Sequence, residues 1–299
     1  MIEIPERFTQ STIEREGEHG RAWVASLPAL AGELLEQWNC RPAGPAGHGQ
    51  VGIIVPVRSA DGASAVLKIS FPHPGNVHEP DAFAVWGGRG AVLLHQRDDA
   101  RFAMLLEQAG DGTLVSLDDV DEAVAVAGQL ARRLTVQAPP DLPRLRDQVA
   151  RWEKDLLNGA ERLPRPLPQR VVQAAVATVR ELGRDQPDTL VHGDLHFGNV
   201  LRAEREPWLA IDPKGYVGDP AFDAITLVRS RFEDLLAADD PKAALLRRLA
   251  IFADAAELDS ERVRRWVQAR AVMAAQWGRE HGDPAWLIQV TDRIAELLT

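Results

Sequence analysis

The sequence is 299 residues long, 45% hydrophobic and 26% charged, with a formal net charge of −10. A chain of this length exceeds the needs of one simple core, so two packed lobes are expected. The negative charge argues against nucleic acid as the main partner, because phosphate binding needs clustered Lys and Arg, and it permits a cationic small molecule. The single cysteine, Cys40, excludes an internal disulfide and a thiolate zinc site.

The N-terminal residues are acidic and mixed, and they lack the basic start and apolar stretch of a signal peptide. No apolar run reaches the length that a bilayer span needs. We therefore expect a cytoplasmic protein with no membrane partner. The sequence leaves open whether the chain is a monomer or a homodimer.

The first third of the chain is predicted to be rich in strands. The Asp61-Gly62 pair joins two β-like runs and is a turn signal. The predicted elements are a helix over 19–39, a Gly/Pro-rich stretch over 41–49, a hairpin over 51–70, a helix over 78–87 and a strand over 102–107.

After Gly110-Asp111-Gly112 the hydrophobic pattern changes to a mostly helical one. The predicted elements are helices over 118–136, 145–157 and 169–182, strands over 189–191 and 208–211, and helices across 221–299 with breaks near Pro241 and at 282–284. Strands first and helices later indicate an α+β fold with two unequal lobes.

The segment that carries chemistry runs from His192 to Asn199, and a short apolar strand after it ends at Asp212. The Asp-x4-Asn spacing of Asp194 and Asn199 matches the kinase catalytic loop, where the Asp accepts the acceptor's proton and the Asn binds Mg²⁺. Asp212 fits the second metal contact, since magnesium prefers oxygen ligands and neutralises the phosphates of ATP. The pattern predicts a kinase that uses ATP and Mg²⁺. Asp194 is its catalytic carboxylate, and Asn199 and Asp212 are its metal ligands.

The two histidines of this loop are less informative. His192 is interpreted as a support for the loop backbone rather than a catalytic group. For His196 the sequence leaves both a structural role and contact with substrate open.

This loop resembles that of the aminoglycoside phosphotransferase superfamily, which has His-Gly-Asp where protein kinases have His-Arg-Asp. Further segments resemble the branch of streptomycin 6-phosphotransferases and hydroxyurea phosphotransferases, and the resemblance spans residue 20 to about residue 230. These segments are 20–23, 27–30, 86–92, 203–214 and 217–223.

The resemblance implies a bilobal, protein-kinase-like α+β fold. Residues 1–108 would form a small β-rich N-lobe that binds nucleotide and ends at the hinge. Residues 109–299 would form a larger, mostly helical C-lobe with the catalytic loop, the metal site and the substrate pocket.

The resemblance also implies a set of nucleotide-binding residues in the N-lobe. Lys68 would contact the α- and β-phosphates, and Glu79 would pair with it from the following helix. The glycine-rich stretch with Gly47 and Gly49 would cover the phosphates, although it does not match Gly-x-Gly-x-x-Gly in register. Glu107 and Ala109 are expected at the hinge, where backbone groups hold the adenine.

The acceptor site is the part that the sequence defines least. Candidate substrate residues are His196, Asp223, Glu233 and Glu280. Asp219 is expected to cap a helix instead. Lys214 departs from the kinase pattern of Phe-Gly after the metal Asp, and it either stabilises the transferred phosphate or pairs with an acid.

The leading hypothesis is an ATP-dependent O-phosphotransferase for an aminoglycoside-type acceptor, with streptomycin favoured and antibiotic resistance as its physiology. The first alternative is a kinase for another amino sugar or small hydroxylated metabolite. A non-catalytic, nucleotide-binding regulatory module is the alternative from another class. A protein kinase fits less well, because only residues 213–218 separate Asp212 from Asp219.

Overall fold

The computed structural model describes residues 2–299, which divide into two compact units. The first unit comprises residues up to 110 together with 203–205, and the second comprises 111–202 and 206–299. The first boundary therefore falls two residues beyond the expected end of the N-lobe at 108. None of the helices within residues 2–299 combines the length and apolarity that a membrane span needs.

The first unit is built on one antiparallel sheet with the strand order β1-β3-β4-β6-β5, in which β2 also pairs with β3. Its elements are helices α1 (Glu6–Gln37) and α2 (Glu79–Trp86) and strands β1 (Cys40–Pro42), β2 (Gly47–His48), β3 (Gly52–Ser59), β4 (Ser64–Ser70), β5 (Leu94–Asp98) and β6 (Ala103–Glu107). Helix α1 is interrupted at Gly17, whose φ of 62° lies in the left-handed region that glycine adopts without strain.

The core of the first unit lies between α1 and one face of the sheet. Alternate residues of β4, Leu67 and Ile69 among them, are buried with Leu27 and Leu34 of α1. Because side chains alternate across a strand, Lys68 points to the opposite face of the sheet. This alternation leaves a lysine on the side of the sheet that the α1 core does not cover.

The second unit is mostly helical. Its helices are α3 (Val120–Leu134), α4 (Val149–Arg162), α5 (Gln169–Leu182), α6 (Ala224–Arg229), α7 (Phe232–Leu236), α8 (Pro241–Ala256), α9 (Ser260–His281) and α10 (Ala285–Leu297). Its strands are β7 (Val136–Gln137), β8 (Thr189–Val191), β9 (Val200–Arg202), β10 (Trp208–Ala210) and β11 (Tyr216–Val217). The strands pair as β11-β8-β7 and as a β9–β10 hairpin.

Helix α9 is the central helix of the second unit. Its Trp266 is fully buried, meets Phe222 and Trp152 edge to face, and donates its indole N–H to Asp219 at 2.6 Å. Asp219 also accepts from the N–H of Ala221 at 3.0 Å, as expected for a helix cap. The core of this unit is thereby joined to the segment that follows β11.

Most of the predicted elements are present, including the three-residue strand β8, which matches the strand predicted over 189–191, and the elements that the sequence did not predict are mostly short strands. The helix predicted over 169–182 matches α5, and the strand predicted over 102–107 matches β6 within one residue. Helix α1 begins at Glu6 rather than at residue 19, because the turn at Gly17 hides the continuity of the two segments. Strand β5 was not predicted, since its mixed sequence Leu-His-Gln-Arg-Asp fits a partly exposed edge strand.

Candidate active site

The predicted catalytic loop connects β8 to β9 in the second unit. Its tight start depends on Gly193, whose φ is +84° and where an added Cβ would lie 2.8 Å from the side chains of Lys214 and Tyr216. Farther along, the amide nitrogen of Asn199 donates to the carbonyl oxygen of Asp194 at 3.0 Å. The two predicted functional side chains are thus held on one closed turn.

His192 is a buried support for this loop. Its Nε2 lies 2.9 Å from the carbonyl oxygen of Ile211, and its Nδ1 accepts from the N–H of Asp194 at 3.2 Å. The tautomer that satisfies both bonds carries its proton on Nε2. Burial lowers the pKa of His192 to about 4, so the ring stays neutral near pH 7. These bonds fit the interpretation of His192 as a backbone support.

Asp223 stabilises the same loop through two hydrogen bonds. One carboxylate oxygen accepts from the N–H of Gly193 at 2.7 Å, and the other accepts from the N–H of His192 at 2.9 Å. The side chain is 3% exposed, and burial raises its pKa to about 6. Both oxygens are therefore engaged with backbone, and this position does not suit the expected contact between Asp223 and a substrate cation.

The two predicted metal ligands are neighbours in the second unit. The N–H of Ile211 donates to the carbonyl oxygen of Asn199 at 2.9 Å, which places Asp212 beside Asn199. Asp212 has a φ of 58°, an uncommon conformation for a residue other than glycine and one that occurs at functional sites. Among residues 2–299, no three His, Cys, Asp or Glu side chains come together as a metal site. A metal here would take its remaining ligands from phosphate and water.

Lys214 brings a cation to the predicted catalytic carboxylate. Its Nζ lies 3.9 Å from Oδ2 of Asp194, and its backbone N–H donates to the carbonyl oxygen of His192 at 2.7 Å. Both side chains are about one third exposed. Pairing with an acid, one of the two roles considered for Lys214, is therefore seen in the structure.

In the first unit, Lys68 of β4 and Glu79 of α2 form a buried ion pair at 2.5 Å. Their side chains are 7% and 3% exposed. A buried charge is costly unless it is paired, so each side chain fixes the other in place. The structure thus brings together the two residues that the sequence predicted to pair.

The glycine-rich stretch is the tip of the β2–β3 hairpin in the first unit. Gly47 pairs with Ile54, and the N–H of Gly49 donates to the carbonyl oxygen of Gly52 at 2.9 Å across the turn. An added Cβ at Gly49 would meet no atom within 4 Å. Local packing therefore does not require glycine at this position, whereas close approach of a ligand to the backbone would.

The expected hinge residues lie at the end of strand β6 and just beyond it. Glu107 ends the strand, and its N–H donates to the carbonyl oxygen of Leu93 at 2.8 Å. Its side chain pairs with Arg205 at 2.8 Å, a partner that the sequence analysis did not identify. The two residues are 98 positions apart, and no local spacing rule predicts such a pair. Ala109 lies in the irregular segment beyond the strand.

The helical end of the second unit contains a cavity of about 190 Å³. It is lined by Arg229, Ala274, Trp277, Asp283, Leu287, Ile288 and Thr291. Glu233 and Glu280 are exposed and do not line it. His196 is partly buried and does not line the cavity, and burial lowers the pKa of its ring against the opposing charges of Asp194 and Asp212. Asp283 and Trp277 therefore lie on a cavity wall, where Glu233 and Glu280 do not.

Comparison with known proteins assigns the chain to a family. Residues 37–282 match the family model described as aminoglycoside/hydroxyurea antibiotic resistance kinase. The chain belongs to this family. It is 37% identical to a streptomycin 6-kinase of Streptomyces glaucescens, over 95% of this chain and 94% of the relative. It is 36% identical to a hydroxyurea phosphotransferase of Kitasatospora aureofaciens, over 95% of this chain and 83% of the relative.

A solved structure of the macrolide 2′-phosphotransferase from Brachybacterium faecium shows the same fold. The TM-score is 0.58 at 16% identity, covering 91% of this chain and 98% of that protein. The prediction of a protein-kinase-like α+β fold is confirmed. Family membership makes the chain a phosphotransferase with ATP as its phosphoryl donor, and it rules out the regulatory module without catalysis.

Proposed function

We propose that this chain phosphorylates a hydroxyl group of streptomycin with ATP and so confers resistance to the drug. The relatives named as streptomycin 6-kinases, which align over nearly the whole chain, support this substrate. The geometry that carries the proposal is the closed turn from Asp194 to Asn199, with Asp212 beside it. In the proposed arrangement the Asp194 carboxylate faces the acceptor, and the side chains of Asn199 and Asp212 offer oxygen atoms on the side of the phosphates.

In the proposed reaction, the Asp194 carboxylate orients the acceptor hydroxyl and takes its proton. The acceptor oxygen forms a bond to the γ-phosphorus, the bond from that phosphorus to the β–γ bridging oxygen breaks, and ADP leaves. Lys68, held by Glu79, binds the phosphates nearest the ribose, and the hairpin tip with Gly47 and Gly49 covers them.

The donor set of Asn199 and Asp212 fits Mg²⁺. The amide nitrogen of Asn199 is committed to the carbonyl of Asp194, so the amide oxygen is the atom that remains for a metal. Mg²⁺ bound there would neutralise charge on the phosphates during transfer. Asn199 and Asp212 would hold it, and His192 keeps the loop rigid by bonding Ile211, the neighbour of Asp212.

The cavity lined by Asp283 and Trp277 is the proposed acceptor site. A carboxylate and an indole ring suit the guanidinium groups of streptomycin, since a cation is stabilised by opposite charge and by an aromatic face. Arg229 also lines this cavity and carries the opposite charge to Asp283, so it would contact hydroxyl groups or the product phosphate. Trp277 is 55% exposed and stacks on His281 at 4.2 Å, so one face of its aromatic pair is accessible.

The test is a coupled assay for ADP with Mg²⁺-ATP and a panel of streptomycin, hydroxyurea, amino sugars and simple sugars. We expect streptomycin to give the highest kcat/KM, and the Asp194→Ala variant to lose about 10²–10⁴-fold in kcat while it still binds ATP. Turnover of an amino sugar in preference to streptomycin would overturn the substrate assignment and keep the mechanism. Full activity of the Asp194→Ala variant would overturn the mechanism.

Hydroxyurea is the second candidate acceptor, because a hydroxyurea phosphotransferase is nearly as similar to this chain as the streptomycin kinases are. Hydroxyurea is small and uncharged, so it would gain little from Asp283. An Asp283→Asn variant separates the two candidates: it should weaken streptomycin turnover and leave hydroxyurea turnover unchanged.

A further inference from the structure

Arg205 makes the densest set of polar contacts near the expected adenine-binding segment. It lies in the short turn between β9 and β10, within residues 203–205, which cluster with the first unit. Its Nε lies 3.0 Å and 3.2 Å from the two carboxylate oxygens of Glu107, and one terminal nitrogen lies 2.8 Å from the second of them. This is a charge-assisted, forked contact, the strong type of arginine–carboxylate pair.

The same guanidinium also binds backbone from the segment after α2. One terminal nitrogen donates to the carbonyl oxygen of Gly88 at 2.7 Å, and the other donates to that of Ala91 at 2.8 Å. Gly88 is constrained here, since its φ is +85° and an added Cβ would lie 2.6 Å from Leu93. Two of the segments that resemble the streptomycin and hydroxyurea branch, 86–92 and 203–214, therefore meet at one side chain.

Glu107 is fixed from three directions as a result. Its carboxylate accepts from Arg205 and from the N–H of Leu93 at 2.9 Å, while its own N–H donates to the carbonyl of Leu93. Burial would raise the pKa of Glu107, but the bonds from Arg205 and Leu93 outweigh it and lower the pKa. The side chain, 17% exposed, therefore stays charged and paired.

We propose that Arg205 is a positioning residue for purine recognition, which sets the backbone of residues 107–109 through Glu107. The inference rests on the proposed kinase function and on the expected place of the adenine at these residues. Backbone N–H and C=O groups distinguish adenine from guanine only if they are held in register with the amino or keto edge of the base. Removing Arg205 frees the end of β6 and reduces that discrimination.

The experiment compares Arg205→Ala, Arg205→Lys and the double variant Arg205→Ala/Glu107→Gln with the wild type. The double variant removes the unpaired carboxylate, so it keeps a folded protein available if the single alanine variant is unstable. Arg202→Ala is the matched control, because Arg202 lies on the same hairpin and stacks on Trp208 at 4.6 Å. For each protein, kcat and KM are measured with ATP and with GTP at saturating acceptor.

We expect Arg205→Ala to raise the KM for ATP about tenfold, as when one or two charge-assisted hydrogen bonds are lost. The preference for ATP over GTP should narrow by a similar factor, while kcat at saturating ATP stays within about twofold. The KM for ATP and the preference for ATP over GTP in Arg205→Lys should lie between the values of the wild type and of Arg205→Ala. In Arg202→Ala both quantities should match the wild type. A structural role alone would lower the melting temperature and leave the ATP-to-GTP ratio unchanged, and that result would overturn the inference.

Hydrogen exchange separates this inference from the proposed function. ATP should protect the amides of residues 107–110 in the wild type and protect them less in Arg205→Ala. If ATP leaves these amides unprotected in a wild type that turns over streptomycin, the inference is overturned and the proposed function stands. If the protein neither binds ATP nor phosphorylates any acceptor of the panel, both are overturned.

Discussion

A lysine lies beside the carboxylate that we propose as the catalytic group. Nζ of Lys214 lies 3.9 Å from Oδ2 of Asp194, and we propose that its ammonium group stabilises the charge of the transferring phosphoryl group. We expect Lys214→Ala to lower kcat about tenfold, which is about 1.4 kcal/mol of transition-state stabilisation, with little change in the KM for streptomycin. The measurement is steady-state kinetics at saturating ATP.

Lys154 provides the control for that experiment. It is an exposed lysine on α4 with the same charge and side chain, and Lys154→Ala should keep wild-type kinetics. If Lys214→Ala kept the wild-type kcat and only the melting temperature fell, the ion pair with Asp194 would be structural, and Lys214 would have no part in phosphoryl transfer.

The carboxyl group of Asp223 makes the stability of the second unit depend on pH. Burial raises its pKa from the ordinary value of 3.8 to about 6, so the folded protein holds this proton more tightly than the unfolded chain does. The contribution to the free energy of unfolding is therefore largest below pH 4, falls as the pH rises to about 6, and is constant above it. A shift of about two pH units corresponds to roughly 3 kcal/mol.

Urea unfolding of the wild type and Asp223→Asn at pH 4, 5, 6 and 7 measures this contribution. The free energy of unfolding of the wild type minus that of Asp223→Asn should decrease between pH 4 and pH 6, because only the wild type carries the titrating group. Asn also places an N–H₂ group against the N–H of Gly193 or His192, so the variant should be less stable at every pH by about 1–3 kcal/mol. A difference that does not vary with pH would show that the carboxyl group keeps its ordinary pKa.

At the scale of secondary structure, the junction between α9 and α10 is where acceptor specificity is expected. Asp283 lies on the cavity wall just after the left-handed Gly282 that ends α9, whereas Glu280 lies one turn earlier and is exposed. We expect Asp283→Asn to raise the KM for streptomycin about five- to tenfold, since one partly exposed cation–carboxylate pair is lost. Glu280→Gln removes the same charge from the same helix end and should leave the KM unchanged.

One outcome of these kinetic measurements would contradict the prediction for Asp283. An increase in KM for Glu280→Gln and none for Asp283→Asn would place the acceptor on the exposed face of α9, away from the cavity. Isothermal titration of streptomycin into the two variants, in the presence of a non-hydrolysable ATP analogue, would show the same difference directly as binding.

Elements with a local signature could be predicted from the sequence, and contacts that depend on long-range folding could not. The Asp194–Asn199 turn follows from spacing and the Lys68–Glu79 pair from the resemblance to the family, and both are found close together within their units. Strands β2, β9 and β11 are two or three residues long, which is too short for an alternating pattern to appear. Arg205 lies in a segment that resembles the family branch, but its contact with Glu107, 98 residues away, follows from no local spacing.

The candidate acidic residues of the helical region could not be ranked from the sequence for the same reason. Composition alone could not separate Asp223, which is buried under the loop, from Asp283, which lies on a cavity wall. The distinction depends on which helix face packs inward, and that is settled by partners such as Arg270, which donates to the carbonyl of Phe222 and stacks on its ring at 3.8 Å.

At the scale of the whole molecule, the net charge of −10 should speed the encounter with a cationic acceptor. Streptomycin carries two guanidinium groups, so a negative field raises its local concentration, and the effect extends over the Debye length of about 30 Å at 0.01 M salt and about 3 Å at 1 M. We expect kcat/KM for streptomycin to fall roughly tenfold between about 0.02 M and 0.5 M NaCl at saturating Mg²⁺-ATP. The kcat itself should change little, because the bound complex is screened far less than the encounter.

Hydroxyurea, the second candidate acceptor, is the uncharged control once the acceptor panel has shown that the protein turns it over. Its kcat/KM should remain within about twofold over the same salt range, and sucrose of equal osmolality should have no effect on either acceptor. A parallel decline for both acceptors would mean that salt acts on ATP binding or on the fold. A flat profile for streptomycin would mean that its charges are recognised only by short contacts such as that with Asp283, and that the surface charge serves solubility alone.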